Sequence, residues 1–204
     1  KDSIAYNKIK NLLIRSKSCT VGNLFLYKCV KNFGAKNILL IPTVVDLVKY
    51  KLNSPTENEK VIIGWIGTNS TVHYVDIVLQ IINELSKNNS IKLITIGASL
   101  DSSKIAPTLE YEFFEWSEYN EVNLLNKIDI GVMPLDDTDW EKGKCAYKLI
   151  QYMALSKATV SSKIGANIEV LENNPQLGLL SDNSTKNDWK NNLQELISSR
   201  NKRI

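Results

Sequence analysis

Short β-branched runs alternate along this chain with longer stretches whose apolar residues recur every three or four positions. The runs are CTVG (19–22), NILLIP (37–42), VIIGWIG (61–67), IKLITIG (91–97), YEFF (111–114), DIGVMP (129–134), KATVSS (157–162) and LGLL (177–180). Most are apolar at odd and even positions alike, the pattern of strands covered on both faces. Between them Val72, Val75, Val78, Leu79, Ile82 and Leu85 mark one helical stripe, and Trp189, Leu193, Leu196 and Ile197 another. Alternation of this kind implies parallel strands joined by right-handed crossovers. The expected fold is therefore α/β, a doubly wound, Rossmann-like parallel sheet.

The stretch TVVDLVKYKLNSPTENEK (43–60) loses that periodicity and carries Pro, Asn, Ser and charges. It places a linker over 46–60, between a short unit at 1–45 and a complete Rossmann-like domain at 61–204. The upstream unit holds two helices and two strands, too little for a doubly wound domain, and reads as the end of one. The first residue is Lys1, and no secretory signal pattern follows, so the sequence is expected to be a piece of a longer polypeptide.

Composition changes little in this picture. The chain is 43% hydrophobic and 23% charged, ordinary for a globular protein, with no apolar run of membrane-spanning length. A net charge of +3, spread along the sequence, does not form the focused basic stripe that nucleic acid requires. Three cysteines (Cys19, Cys29, Cys145) and one histidine give neither metal-ligand spacing nor a disulfide framework, so a reducing, cytoplasmic setting without a metal cofactor is expected. Residues 3–17 are amphipathic and basic; packing against protein is the favoured role, with peripheral contact at the inner face of a membrane as the alternative.

In open parallel sheets, ligands bind at the carboxyl ends of the strands, and three such ends are informative. After the run at 61–67, Gly67 and Thr68 open the loop GTNST. There Thr68, Asn69, Ser70 or Thr71 is placed to cap a helix whose free N–H groups suit a phosphate. After the run at 91–97, Gly97 permits close backbone approach. Trp116 follows the next strand, either beside a planar base or packed at the domain edge. After DIGVMP comes the polar loop DDTDWEKGK and then a helix on which Lys144, Lys148 and Gln151 fall at one spacing of four and one of three, sharing a face. A solvated face is the default for lysines; the position at a strand's carboxyl end favours a diphosphate instead. His73 is expected to be partly buried and structural, and the cluster Asp136, Asp137, Asp139 and Glu141 to be solvated.

The segment DIGVMPLDDTDWEKGKCAYKLIQYMALSKATVSSKIGANIEVL resembles the donor-binding signature of group 1 (family 4-like) glycosyltransferases of GT-B fold, whose two Rossmann-like domains face a cleft. VIIGWIGTNSTVHYV resembles the first strand and loop of their C-terminal, nucleotide-sugar-binding domain. TVGNLFLYKCVKNFGAKNILLIPTVVDLVKY is similar to the end of their N-terminal domain and the hinge. The resemblance implies transfer of a sugar from a nucleoside-diphosphate donor to an acceptor hydroxyl, retaining configuration, in cell-surface glycan synthesis. The acceptor, a glycan or a lipid-linked one, would be held largely by the N-terminal domain.

The resemblance also implies roles for particular residues. Gln151 falls where many relatives carry a glutamate that hydrogen-bonds ribose. Gly143 falls on a second glutamate assigned to the sugar, and here the acid is missing. The Arg and Lys that relatives use on the diphosphate are absent from GTNSTVHY, which leaves Lys144 and Lys148 for that charge. Cys145 and Ala146 lie between these residues and join the expected donor site. The departure at Gly143 keeps a second reading open, a non-catalytic nucleotide- or partner-binding module of the same fold.

Overall fold

The computed structural model describes residues 4–52, 59–172 and 174–203. Of the linker expected over 46–60, residues 53–58 lie outside this range. An N-terminal unit contains α1 (Ile4–Arg15), β1 (Cys19–Val21), α2 (Leu24–Asn32) and β2 (Ile38–Leu40), with β1 and β2 paired in parallel. The larger unit follows with β3 (Val61–Ile66), α3 (Asp76–Leu85), β4 (Ile91–Ile96), β5 (Glu110–Phe114), α4 (Glu121–Asn126) and β6 (Ile130–Met133). It continues through α5 (Asp139–Lys142), α6 (Tyr147–Ala154), β7 (Ala158–Ser162), α7 (Ala166–Glu172), β8 (Leu179–Ser181) and α8 (Lys186–Ser198).

Its six strands are all parallel, in the order β5-β4-β3-β6-β7-β8. Strand order therefore reverses between β3 and β6, the kind of switch point at whose carboxyl ends open α/β sheets bind ligands. The doubly apolar strands explain the layering. Ile63 and Trp65 pack with Val78, Ile82, Trp189 and Leu193 of α3 and α8. On the other face Ile66, Ile94 and Ile96 pack with Leu124, Leu125, Ile128, Tyr152 and Leu155. A third cluster joins Met133, Leu135 and Leu149 to Ile164 and Leu171.

Two local expectations change. The stripe at 72–85 is a 3-10 turn at Val72–Val75 followed by α3, and none of Thr68, Asn69, Ser70 or Thr71 caps α3. Thr71 Oγ1 instead accepts from the Thr68 N–H at 3.1 Å, closing the loop on itself. Gly143 does not open the signature helix: it ends α5, and α6 begins only after Ala146, which is left-handed at φ 54°. Lys144 consequently lies between two helices and does not share a helical face with Lys148 and Gln151. Within the described chain α1 buries no residue; Tyr6 packs against Phe33, with ring centroids 5.0 Å apart, and Ile14 lies beside Gly34.

Candidate donor-nucleotide site

Two glycines follow the carboxyl ends of β3 and β4. A Cβ at Gly97, whose φ is +89°, would lie 2.3 Å from the Gly67 carbonyl oxygen and 3.2 Å from the Trp116 Cβ. A Cβ at Gly67 would lie 2.3 Å from the Trp65 indole. The loops after β3, β4 and β5 thus meet through glycine contacts, bringing Gly67, Gly97 and Trp116 together. The close approach expected at Gly97 is therefore to the protein's own backbone.

The two lysines are neighbours with different surroundings. The Lys144 ammonium donates to the Tyr74 hydroxyl at 2.9 Å and lies 3.5 Å from Glu141 Oε1. Glu141 is 5% exposed, a correction to the solvated acid expected there, and it accepts hydrogen bonds from both the Tyr74 and Thr138 hydroxyls. Burial pushes its carboxyl up, but those bonds and the Lys144 charge outweigh burial and hold it below its ordinary value. Burial, then the bond to Glu141, raises the Tyr74 hydroxyl above its usual range. Lys144 is thereby largely neutralised from within.

Lys148 is not. Its ammonium lies 5.1 Å from the centroid of the Trp65 ring, and among the described residues it has no carboxylate partner. Burial, then repulsion from Lys144, lowers its pKa from 10.5 to about 8. A partly buried cation against an aromatic face, with a second ammonium nearby and no counterion, is an incomplete arrangement that an anion would complete.

One turn further along α6, Gln151 is 2% exposed, and its Nε2 donates to the Tyr50 hydroxyl at 2.6 Å. Tyr50 donates to Glu121 Oε1 at 2.5 Å, and Trp116 Nε1 donates to Glu121 Oε2 at 2.7 Å. Trp116 remains 52% exposed. Sequence reasoning missed Tyr50, Glu121, Tyr74 and Glu141. Tyr50 sits in a stretch without periodicity, and its burial to 4% exposure was the one missing signal.

Gly143 and Cys145 turn toward the N-terminal unit, whereas Ala146 packs with Met133, Leu135 and Leu149 of the larger one. A Cβ at Gly143 would meet Trp140 O at 3.3 Å and Leu26 Cδ2 at 3.5 Å, and the Cys145 thiol occupies the space that a Cβ at Gly22 would need. Ala146 is buried at 1% exposure. Asn23, fully buried, ties the two units: its Nδ2 donates to Lys142 O at 3.1 Å and Lys144 O at 2.9 Å, while its Oδ1 caps α2 through the Leu26 N–H. The Leu24 N–H donates to Glu169 of α7 at 3.1 Å. Replacing Asn23 with Ala removes the cap and two buried bonds. The expected cost is about 2–3 kcal/mol of stability, measured by urea denaturation. His73 is exposed rather than partly buried, 3.9 Å from Asp136.

A parallel sheet of this order, reversing at a switch point between β3 and β6, defines a doubly wound, Rossmann-like α/β domain. The family described as "Glycosyl transferases group 1" matches residues 60–199, more than half of the 204-residue chain, and the chain belongs to that family. No curated protein matches the sequence.

Among solved structures, Anabaena Alr3699/HepE in complex with UDP and glucose superposes with a TM-score of 0.74 at 14% identity, covering 97% of this chain and 58% of that one. S. aureus TarM, a mutant in complex with Fondaparinux, alpha-GlcNAc-glycerol and UDP, gives 0.72 at 17% identity, covering 98% and 41%. A glycosyltransferase from Rickettsia africae gives 0.73 at 14% identity, covering 96% and 57%. This chain thus spans about half the length of the solved structures it matches. The likeness shows the shared GT-B, Rossmann-like fold. No helix among the described residues is long and apolar enough to cross a membrane.

Proposed function

We propose that this chain carries the donor half of a glycosyltransferase that moves a sugar from a nucleoside diphosphate to an acceptor hydroxyl with retention, in cell-surface glycan synthesis. The single observation that supports it best is Lys148, a cation without a carboxylate partner at the switch point of the sheet. UDP in the complexes of the Anabaena and S. aureus proteins agrees with a diphosphate at such a switch point.

In this reading Lys148 faces the diphosphate, Lys144 sits beside it on the Glu141–Tyr74 pair, and Gln151 meets the ribose. Charge developing on the leaving diphosphate is stabilised by the ammonium in a partly dry site, with no metal required. Residues 1–45 belong to a second Rossmann-like domain that holds a glycan or lipid-linked acceptor. The exposed apolar side chains Ile4, Ile9, Leu12, Leu39 and Ile41 support that placement. The chain alone then binds donor nucleotide weakly and transfers sugar poorly.

Titration with UDP, GDP and ADP tests the reading. One nucleotide is expected to bind, with affinity lowered by Lys148→Ala and by Gln151→Ala; binding indifferent to both changes overturns it. Glycine at 143 favours a second reading, a binding module without chemistry, because the acid that the sequence resemblance implies there is missing. The backbone does not demand that glycine, since its φ is −75°. Gly143→Glu is expected to fold within about 1 kcal/mol of the parent, by urea denaturation. If the parent and Gly143→Glu both bind nucleotide and neither transfers sugar when the acceptor domain is supplied, the second reading holds.

A further inference from the structure

The network behind Gln151 decides which end of its amide a ligand can meet. Glu121, 6% exposed, accepts from Tyr50 OH at 2.5 Å and Trp116 Nε1 at 2.7 Å, and the Lys49 ammonium pairs with it at 3.6 Å. A carboxylate with two donors and a cation around it acts as acceptor only. The single hydroxyl proton of Tyr50 is therefore committed to Glu121. Burial, then this bond, raises the Tyr50 pKa well above its ordinary range, so the proton stays. With its proton used, the Tyr50 oxygen accepts, and the partner 2.6 Å away must be the Gln151 NH2 group. The Tyr147 hydroxyl, 3.5 Å from Tyr50, is too distant to compete strongly. Gln151 Oε1 is left without a hydrogen bond from any described residue.

A glutamine free to rotate offers a donor or an acceptor; this one is held with its nitrogen inward. We propose, resting on the donor-site reading above, that Tyr50 and Glu121 are positioning residues for the donor ribose: they orient the Gln151 amide so that Oε1 accepts from a ribose hydroxyl. Glutamine then presents a ligand with an acceptor at neutral charge. Tyr50 precedes the larger unit's first strand in sequence and packs into its core beside Ile66 and Tyr152. Glu121 also fixes the Trp116 indole, making one buried carboxylate the anchor for both.

The test uses the full chain and calorimetric titration. Inorganic pyrophosphate, then UDP, GDP and ADP, are titrated, followed by the 2′-deoxy and 3′-deoxy forms of the tightest binder. The parent is expected to prefer the ribonucleotide over at least one deoxy form by about tenfold, the value of one buried hydrogen bond. Tyr50→Phe and Glu121→Gln should each reduce that preference to about twofold or less, leaving pyrophosphate affinity within about twofold. The positioning role is overturned if both variants keep the preference, or if pyrophosphate affinity falls in parallel, which marks a merely structural role. A parent that binds nucleotides without ribose preference overturns the role and leaves the donor-site reading standing. A parent that binds neither pyrophosphate nor nucleotide overturns both.

Discussion

Lys148→Ala is expected to lower the affinity for pyrophosphate, and for the preferred nucleoside diphosphate, by about 10- to 100-fold. That is the range for losing a charge-assisted contact in a partly buried site. The magnitude rests on the absence of a carboxylate partner within the described chain, which leaves the full ammonium available to a ligand. Lys144→Ala should cost less, because that ammonium already lies 3.5 Å from Glu141.

The effect also carries a pH signature. Lys148 in the free fold has its pKa lowered to about 8, so affinity should be flat below that value. Above it, affinity should fall toward a tenfold loss per pH unit as the ammonium deprotonates. Stability of the ligand-free chain should move the other way. Between about 8 and the ordinary value of 10.5, the unfolded chain binds more protons at this site than the folded one, so stability rises with pH. The cost of an uncompensated ammonium is fully present below about 8 and gone by 10.5. Both trends are read as differences between the parent and Lys148→Ala, by calorimetry and urea denaturation across pH 6 to about 10.5. Equal pH dependence in the two chains would remove the unpaired lysine from the argument.

Gly97→Ala is expected to destabilise the chain by about 3–5 kcal/mol, on the order of 10 °C in Tm. Two costs combine. The residue has φ +89°, which side-chain-bearing residues rarely adopt, and the new Cβ would fall 2.3 Å from a backbone oxygen, that of Gly67. Backbone cannot yield as a flexible side chain does. The contact is pinned from both sides, by the Gly67 N–H on Ile96 O and the Gly97 N–H on Phe114 O, each at 2.9 Å. Gly143→Ala is the control: its φ is ordinary and its nearest neighbour is 3.3 Å away, so a change within about 1 kcal/mol is expected. Thermal unfolding of the two variants beside the parent checks the pair, and similar losses in both would contradict it.

The strands were legible because a strand buried on both faces writes its burial into every residue. VIIGWIG, IKLITIG and DIGVMP lie on β3, β4 and β6 within a residue or two, and the expected sheet formed. The run LGLL was displaced, with β8 at Leu179–Ser181, because Leu177 ends a 3-10 turn at Pro175–Leu177 and Gly178 caps it. The segment from Gly143 to Gln151 was misread as one helix. Lysine and glutamine spacing fits a helix, and nothing local marks Ala146 as left-handed. The break is accompanied by hydrogen bonds from Asn23, 119 and 121 residues away in sequence. Glu141 looked solvated because its neighbours Asp136, Asp137 and Asp139 are; Tyr74 and Thr138 reach it only in three dimensions.

The sequence by itself determined the class of fold, the order of its elements and the family, because apolar periodicity and a contiguous signature are local properties of a chain. The tertiary structure decided the chemistry of each group: which lysine is neutralised and which is not, which acid is buried, and which way a glutamine amide turns. Those outcomes depend on charges and hydrogen-bond donors brought together from distant positions, and on the low dielectric of a packed interior. Spacing along the chain encodes neither.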